Sequence, residues 1–124
     1  MPHRILVVDD MVDTAETLAA LVIGLGHDAT SVTDPRDAVD VARSFKPSMV
    51  LLDIGMPYIN GYELAPMLRE SLRPAQVRIV AVTAWGSEKD RALSRAAGFD
   101  EHLVKPVAED TLQTAINRLL PSAD

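Results

Sequence analysis

Short apolar runs alternate with amphipathic stretches along the whole 124-residue chain. Ile5-Leu6-Val7-Val8, Met49-Val50-Leu51-Leu52 and Ile79-Val80-Ala81-Val82 are unbroken, the pattern of strands covered on both faces. Residues 29–33 and 101–104 read as shorter or mixed strands. Between the runs lie five helical stretches. The first spans 11–25 and is stopped by Gly26; the second opens at Asp34 or Pro35 and ends at Lys46-Pro47. The third covers about 61–72, with Pro66 near its start. The fourth begins at a Ser87 cap, with Asp90 as its capping-box partner, and runs through Ala97 to Gly98. The last covers about 108–120.

Five strand–helix units predict an α/β domain with a parallel sheet, because each helix supplies the crossover a parallel pair needs. The apolar first, third and fourth strands belong inside and the mixed second and fifth at the edges. That gives the order 2-1-3-4-5, a flavodoxin-like doubly wound (βα)5 fold with its switch point between the first and third strands. Ligands bind beyond the carboxyl ends of strands at such a point. The residues expected there carry chemistry: Asp9-Asp10 after the first run, Asp53 after the third, Thr83 after the fourth, and Lys105-Pro106 after the fifth.

Three crowded carboxylates require a cation or protons to offset their repulsion. A hard divalent ion, Mg2+ above all, suits one or two carboxylates together with a phosphate oxygen. A carboxylate can also attack phosphorus to give an aspartyl phosphate, with Lys105 and the metal balancing the charge on the transferring group. Each residue alone has a plainer reading: Asp9 or Asp10 as a helix cap, Asp53 as a turn residue, Thr83 as a strand end and Lys105 as an exposed loop lysine. Their convergence favours the phosphoryl chemistry.

Composition narrows the field further. The formal charge of −6 argues against direct nucleic-acid binding, and the absence of cysteine removes thiolate chemistry and disulfides. The charge-free stretch Leu18–Leu25 is too short to insert in a membrane, and no signal-like start precedes the first strand, so a cytoplasmic location is expected. One domain over 1–124 is expected, with 121–124 a frayed tail or the start of a linker.

Four motifs in this order and spacing give the chain a close resemblance to the receiver domains of two-component response regulators. They are Leu6-Val7-Val8-Asp9-Asp10, Leu52-Asp53-Ile54-Gly55-Met56-Pro57 with Gly61, Val82-Thr83-Ala84, and Gly98-Phe99-Asp100 leading to Lys105-Pro106. The third and last are similar in wording to receivers attached to hybrid histidine kinases. The resemblance implies that Asp53 is the phosphoacceptor and that Asp10, Asp53 and the backbone carbonyl of Gly55 ligate Mg2+, with Asp9 assisting through water. It also implies Thr83 as the switch hydroxyl, Lys105 as the phosphate-binding cation and a cis peptide before Pro106. The implied partners are a histidine kinase or histidine phosphotransfer domain and an output partner that the sequence does not name.

His102 stands where such domains usually carry tyrosine or phenylalanine, a ring that swings inward as the threonine is drawn to the phosphate. Its alternative is a half-exposed edge-strand histidine. Gly55 and Trp85 occupy positions where many receivers place polar side chains that position the hydrolytic water, so slow self-dephosphorylation is expected. Residues 17–26 carry no charge. With Leu21 and Leu25 inward, Ala15, Leu18, Ala19 and Val22 are expected outward or on a flank. There they would form an apolar patch for the partner's helix bundle. Three other functions remain: a receiver-like module that works without phosphorylation, a haloacid-dehalogenase-type aspartyl-phosphate phosphohydrolase, and a flavin carrier. Gly55 lacks the second acid of the phosphohydrolase, and Asp9-Asp10 would repel a flavin phosphate.

Overall fold

The computed structural model describes residues 2–120, and its order of elements follows the alternation of the sequence. The strands are β1 (Arg4–Val8), β2 (Asp28–Val32), β3 (Met49–Leu52), β4 (Arg78–Thr83) and β5 (Glu101–Val104). They form one parallel sheet in the expected order β2-β1-β3-β4-β5. The helices are α1 (Val12–Gly24), α2 (Ala38–Phe45), α3 (Gly61–Leu72), α4 (Glu88–Ala96) and α5 (Glu109–Leu119). One boundary differs from expectation. Asp34 caps a 3-10 turn, Pro35–Asp37, and the α-helix proper starts only at Ala38. Two helices stop as the glycines predict, with Gly26 at φ 94° and Gly98 at φ 92°.

Alternate side chains of the central strands feed two apolar layers. Leu6, Val8, Val50, Leu52 and Ile79 pack against Ala38, Ala42, Leu64 and Leu68 of α2 and α3. Ile5, Val7, Leu51, Val80 and Val82 pack against Ala15, Leu18, Val22, Leu112 and Ile116 of α1 and α5. Helix α4 is the exception: of its nine residues only Ser94 is buried, and Leu93 is 46% exposed.

The phase expected for α1 is overturned. Ala15, Leu18 and Val22 form its buried stripe, Ala19 is half-buried, and Leu21 and Leu25 flank the same core. A helix that is apolar nearly all round gives no polar face to fix its rotation, so the leucines were a poor guide. The outward apolar residues are Val12, Ala20 and Ile23. Leu18→Ala is accordingly expected to cost about 2–5 kcal/mol in denaturant unfolding, whereas Ile23→Ala should stay within about 0.5 kcal/mol.

Candidate functional site

The register carries the acids together. Val8 pairs with Leu52, so Asp9 and Asp53 are the next residues on neighbouring strands, and the Asp53 amide donates to the Val8 carbonyl at 2.9 Å. Thr83 pairs with Val104, and the Lys105 amide donates to the Thr83 carbonyl at 2.9 Å, which brings the lysine in beside them. Carboxylate oxygens of Asp9, Asp10 and Asp53 lie within 4.8 Å of one another. Lys105 Nζ is 2.7 Å from Asp9 Oδ2 and 3.5 Å from Asp53 Oδ2. Its peptide bond to Pro106 is cis, as the resemblance implied; that of Arg73 to Pro74 is also cis.

Asp9 and Asp53 are buried, Thr83 is buried and Asp10 is half-buried. Burial first, and then the Asp9 charge, pushes the Asp53 carboxyl up to about 6, against the opposing charge of Lys105. Asp9 also has a structural role, since its Oδ1 accepts from the Met11 amide at 3.0 Å where α1 begins. The N-cap of α1 is Met11, which makes no side-chain cap, and Asp9 holds the amide of that residue and none of the helix's first turn. Asp9 Oδ2 is fully buried and, apart from the ammonium beside it, accepts no aligned hydrogen bond. An all-oxygen set with an unsatisfied carboxylate and surplus negative charge is what a hard divalent cation requires, so the residues fit Mg2+.

Backbone shape is set by two glycines. A Cβ on Gly61 would lie 2.6 Å from the Asp53 carbonyl oxygen, so no other residue lets the start of α3 approach the site this closely. A Cβ on Gly55 would lie 2.8 Å from the Trp85 ring, which covers that residue while remaining 51% exposed. The Trp85 amide in turn donates to Thr83 Oγ1 at 3.3 Å.

His102 is not the half-exposed edge histidine of the alternative reading. It is buried, with Nδ1 2.6 Å from Ser94 Oγ and Nε2 2.7 Å from the Trp85 carbonyl oxygen. Ser94 and Arg91 escaped the sequence reading, because serine and arginine on a polar helix carry no pattern of their own. The Arg36–Tyr58 stack at 3.8 Å, which ties the turn before α2 to the loop after β3, was equally invisible.

The profile of the response regulator receiver domain matches residues 5–117. Protein PilH of Pseudomonas aeruginosa is 34% identical over 117 residues, spanning 94% of this chain and 97% of its own length. The DNA-binding response regulator MtrA of Mycobacterium tuberculosis is 33% identical over 124 residues, but the chain spans only 53% of MtrA. The receiver domain of a sensor histidine kinase from Pseudomonas aeruginosa, solved with magnesium coordinated in its active-site cleft, superposes with TM-score 0.86. It is 29% identical, and the match covers 98% of this chain and all of that one. The chain therefore belongs to the response regulator receiver domain family of two-component signalling.

The raised Asp53 pKa sets a pH test. A folded pKa near 6 against an ordinary value of 3.8 means that the ionised carboxylate opposes folding above about pH 6. That cost fades as the pH falls from 6 toward 3.8 and the folded protein takes up the proton first. Without divalent cations, Asp53→Asn should stabilise the protein at pH 8 by on the order of 1–3 kcal/mol. The gain should shrink toward pH 4 in thermal unfolding at stepped pH.

Proposed function

We propose that Asp53 is the phosphoacceptor of a signalling module, receiving a phosphoryl group from a phosphohistidine on a kinase or phosphotransfer protein. The observation that carries this reading is the buried, charge-crowded Asp53 with Lys105 Nζ 3.5 Å away and the Thr83 hydroxyl on the adjoining strand end. One Asp53 oxygen attacks phosphorus, and the bond to the donor breaks with its electron pair leaving on the donor. Lys105 meets the negative charge on the phosphoryl oxygens, and Thr83 donates its hydroxyl hydrogen to one of them. Asp10, Asp53 and the Gly55 carbonyl would hold Mg2+, with Asp9 acting through water; the ion would supply further charge neutralisation. Magnesium in the cleft of the related histidine kinase receiver supports this assignment.

No acid or amide side chain at Gly55 or Trp85 orients a hydrolytic water, which favours a long-lived phosphoprotein and a role in sustained output or onward transfer. Among the described residues no helix is long and apolar enough to cross a membrane. Labelling by a small acyl phosphate should require Mg2+ and vanish in Asp53→Asn, with the label persisting for minutes. An unlabelled wild type, or loss of label within seconds, would contradict the reading.

The partner's docking surface moves with the corrected phase of α1. A groove of about 410 Å³ runs between α1 and the loop after β5, lined by Thr14, Thr17, Leu18, Leu21, Pro106 and Val107. It reaches Lys105, so a histidine-bearing helix laid along it would deliver its phosphoryl group toward Asp53. Leu21, at the groove wall, replaces the buried Ala15 and Val22 as the docking contact, and Leu18 forms the floor. Leu21→Glu is expected to slow transfer from the cognate phosphotransfer protein by about tenfold or more while sparing labelling by the acyl phosphate.

A further inference from the structure

The loop from β3 to α3 carries Gly55 and is folded unusually tightly. The Met56 amide donates to the Ile54 carbonyl at 3.1 Å, and the Ile59 amide to the Pro57 carbonyl at 2.8 Å. These bonds close two three-residue turns, one centred on Gly55 and one on Tyr58. The Ile54 carbonyl also accepts from the Gly61 amide at 2.8 Å, so both ends of the loop meet at one oxygen. Among the described residues no backbone amide donates to the Gly55 carbonyl, which leaves its oxygen available to a cation.

Tyr58 sits at φ 70°. That is the rarer and strained hand of the three-residue turn, and an aromatic residue stays there only where something holds it. Core packing does not, because the side chain is 71% exposed. Its ring instead faces the Arg36 guanidinium, whose Cζ is 3.8 Å from the ring centroid. Arg36 is fixed in turn by Asp34, with Nε 3.1 Å from Oδ1 and Nη2 2.8 Å from Oδ2. Asp34 Oδ1 also accepts from the Arg36 amide at 3.0 Å, which anchors the same carboxylate to the turn before α2. A chain of contacts thus runs from the end of β2 to the strained turn.

We propose that Arg36 is a positioning residue for the metal site: by stacking on Tyr58 it holds the strained turn, and with it the loop that presents the Gly55 carbonyl. The role rests on the proposed assignment of Asp10, Asp53 and the Gly55 carbonyl to Mg2+. A loop already in its liganded shape loses less freedom when the ion binds, and so binds it more tightly. The charge of Arg36 acts in the opposite direction, because a cation on the same edge of the sheet weakens the pull of the carboxylates on a divalent ion. Loss of the stack and loss of the charge therefore change Mg2+ affinity with opposite signs. An exposed cation–ring stack sets the scale at about two- to fivefold in affinity.

The test is a Mg2+ titration of the unphosphorylated protein, followed by amide chemical shifts and by emission of Trp85, the sole tryptophan, whose ring covers Gly55. Arg36→Ala and Tyr58→Ala should each weaken Mg2+ binding by about two- to fivefold. Tyr58→Phe keeps a ring for the guanidinium and should stay near wild type. Once Tyr58 is alanine, adding Arg36→Ala should bring no further weakening. In the metal-free proteins the Ile59 amide, which closes the strained turn, should exchange hydrogen about two- to fivefold faster in Arg36→Ala and Tyr58→Ala than in wild type. Both side chains are exposed, so these substitutions leave folding intact. Unchanged or tighter Mg2+ binding in Arg36→Ala would overturn the proposal, as would full weakening in Tyr58→Phe or an Ile59 exchange rate equal in all variants. If wild type binds no Mg2+, the metal assignment falls, and the Ile59 exchange rates alone decide whether Arg36 holds the loop.

Discussion

Everything at the carboxyl edge of this sheet follows from holding like charges closer together than water would allow. Asp9, Asp10 and Asp53 share a space in which their oxygens come within 4.8 Å, and a single ammonium answers them. The repulsion opposes folding, so it persists only because β1 and β3 are rigidly packed on both faces. The two apolar layers supply that rigidity; a shift of one residue in register would separate Asp9 from Asp53 and send each strand's side chains into the wrong layer. The carboxyl edge is thus left with negative charge that Lys105 offsets only in part.

Rigidity is distributed unevenly, and the distribution matches the division of labour. Helices α1, α2, α3 and α5 each bury an apolar stripe, whereas α4 buries one hydroxyl. A helix so lightly held has less apolar contact to lose on local opening than its neighbours. Its capping box, Ser87 with Asp90, still fixes where the helix starts, so the element can shift without unwinding from its first turn.

How far the sequence revealed this depends on what kind of interaction each residue makes. Continuous apolar runs predicted the strands and their order, and glycines and caps predicted most helix ends, because those signals are local. Asp9, Asp10, Asp53, Thr83 and Lys105 could be placed together because each follows directly on a strand whose position was known. The rotation of α1 could not be read: its apolar residues surround the helix, and Ala15-Leu18-Val22 and Leu21-Leu25 are both valid stripes. The surroundings of His102 were equally hidden, since they depend on Ser94 and on a backbone carbonyl at Trp85, neither of which leaves a trace in hydrophobic periodicity.

Trp85 joins the loop after β3, the end of β4 and the middle of β5. Its ring covers Gly55 beside the acids, its amide donates to Thr83, and its carbonyl accepts from His102. The ring is half exposed, so core packing is not its purpose. A side chain at position 55 would press on the outer edge of that ring at 2.8 Å, so the ring would have to turn aside. One residue thus touches Gly55, Thr83 and the buried His102 at once.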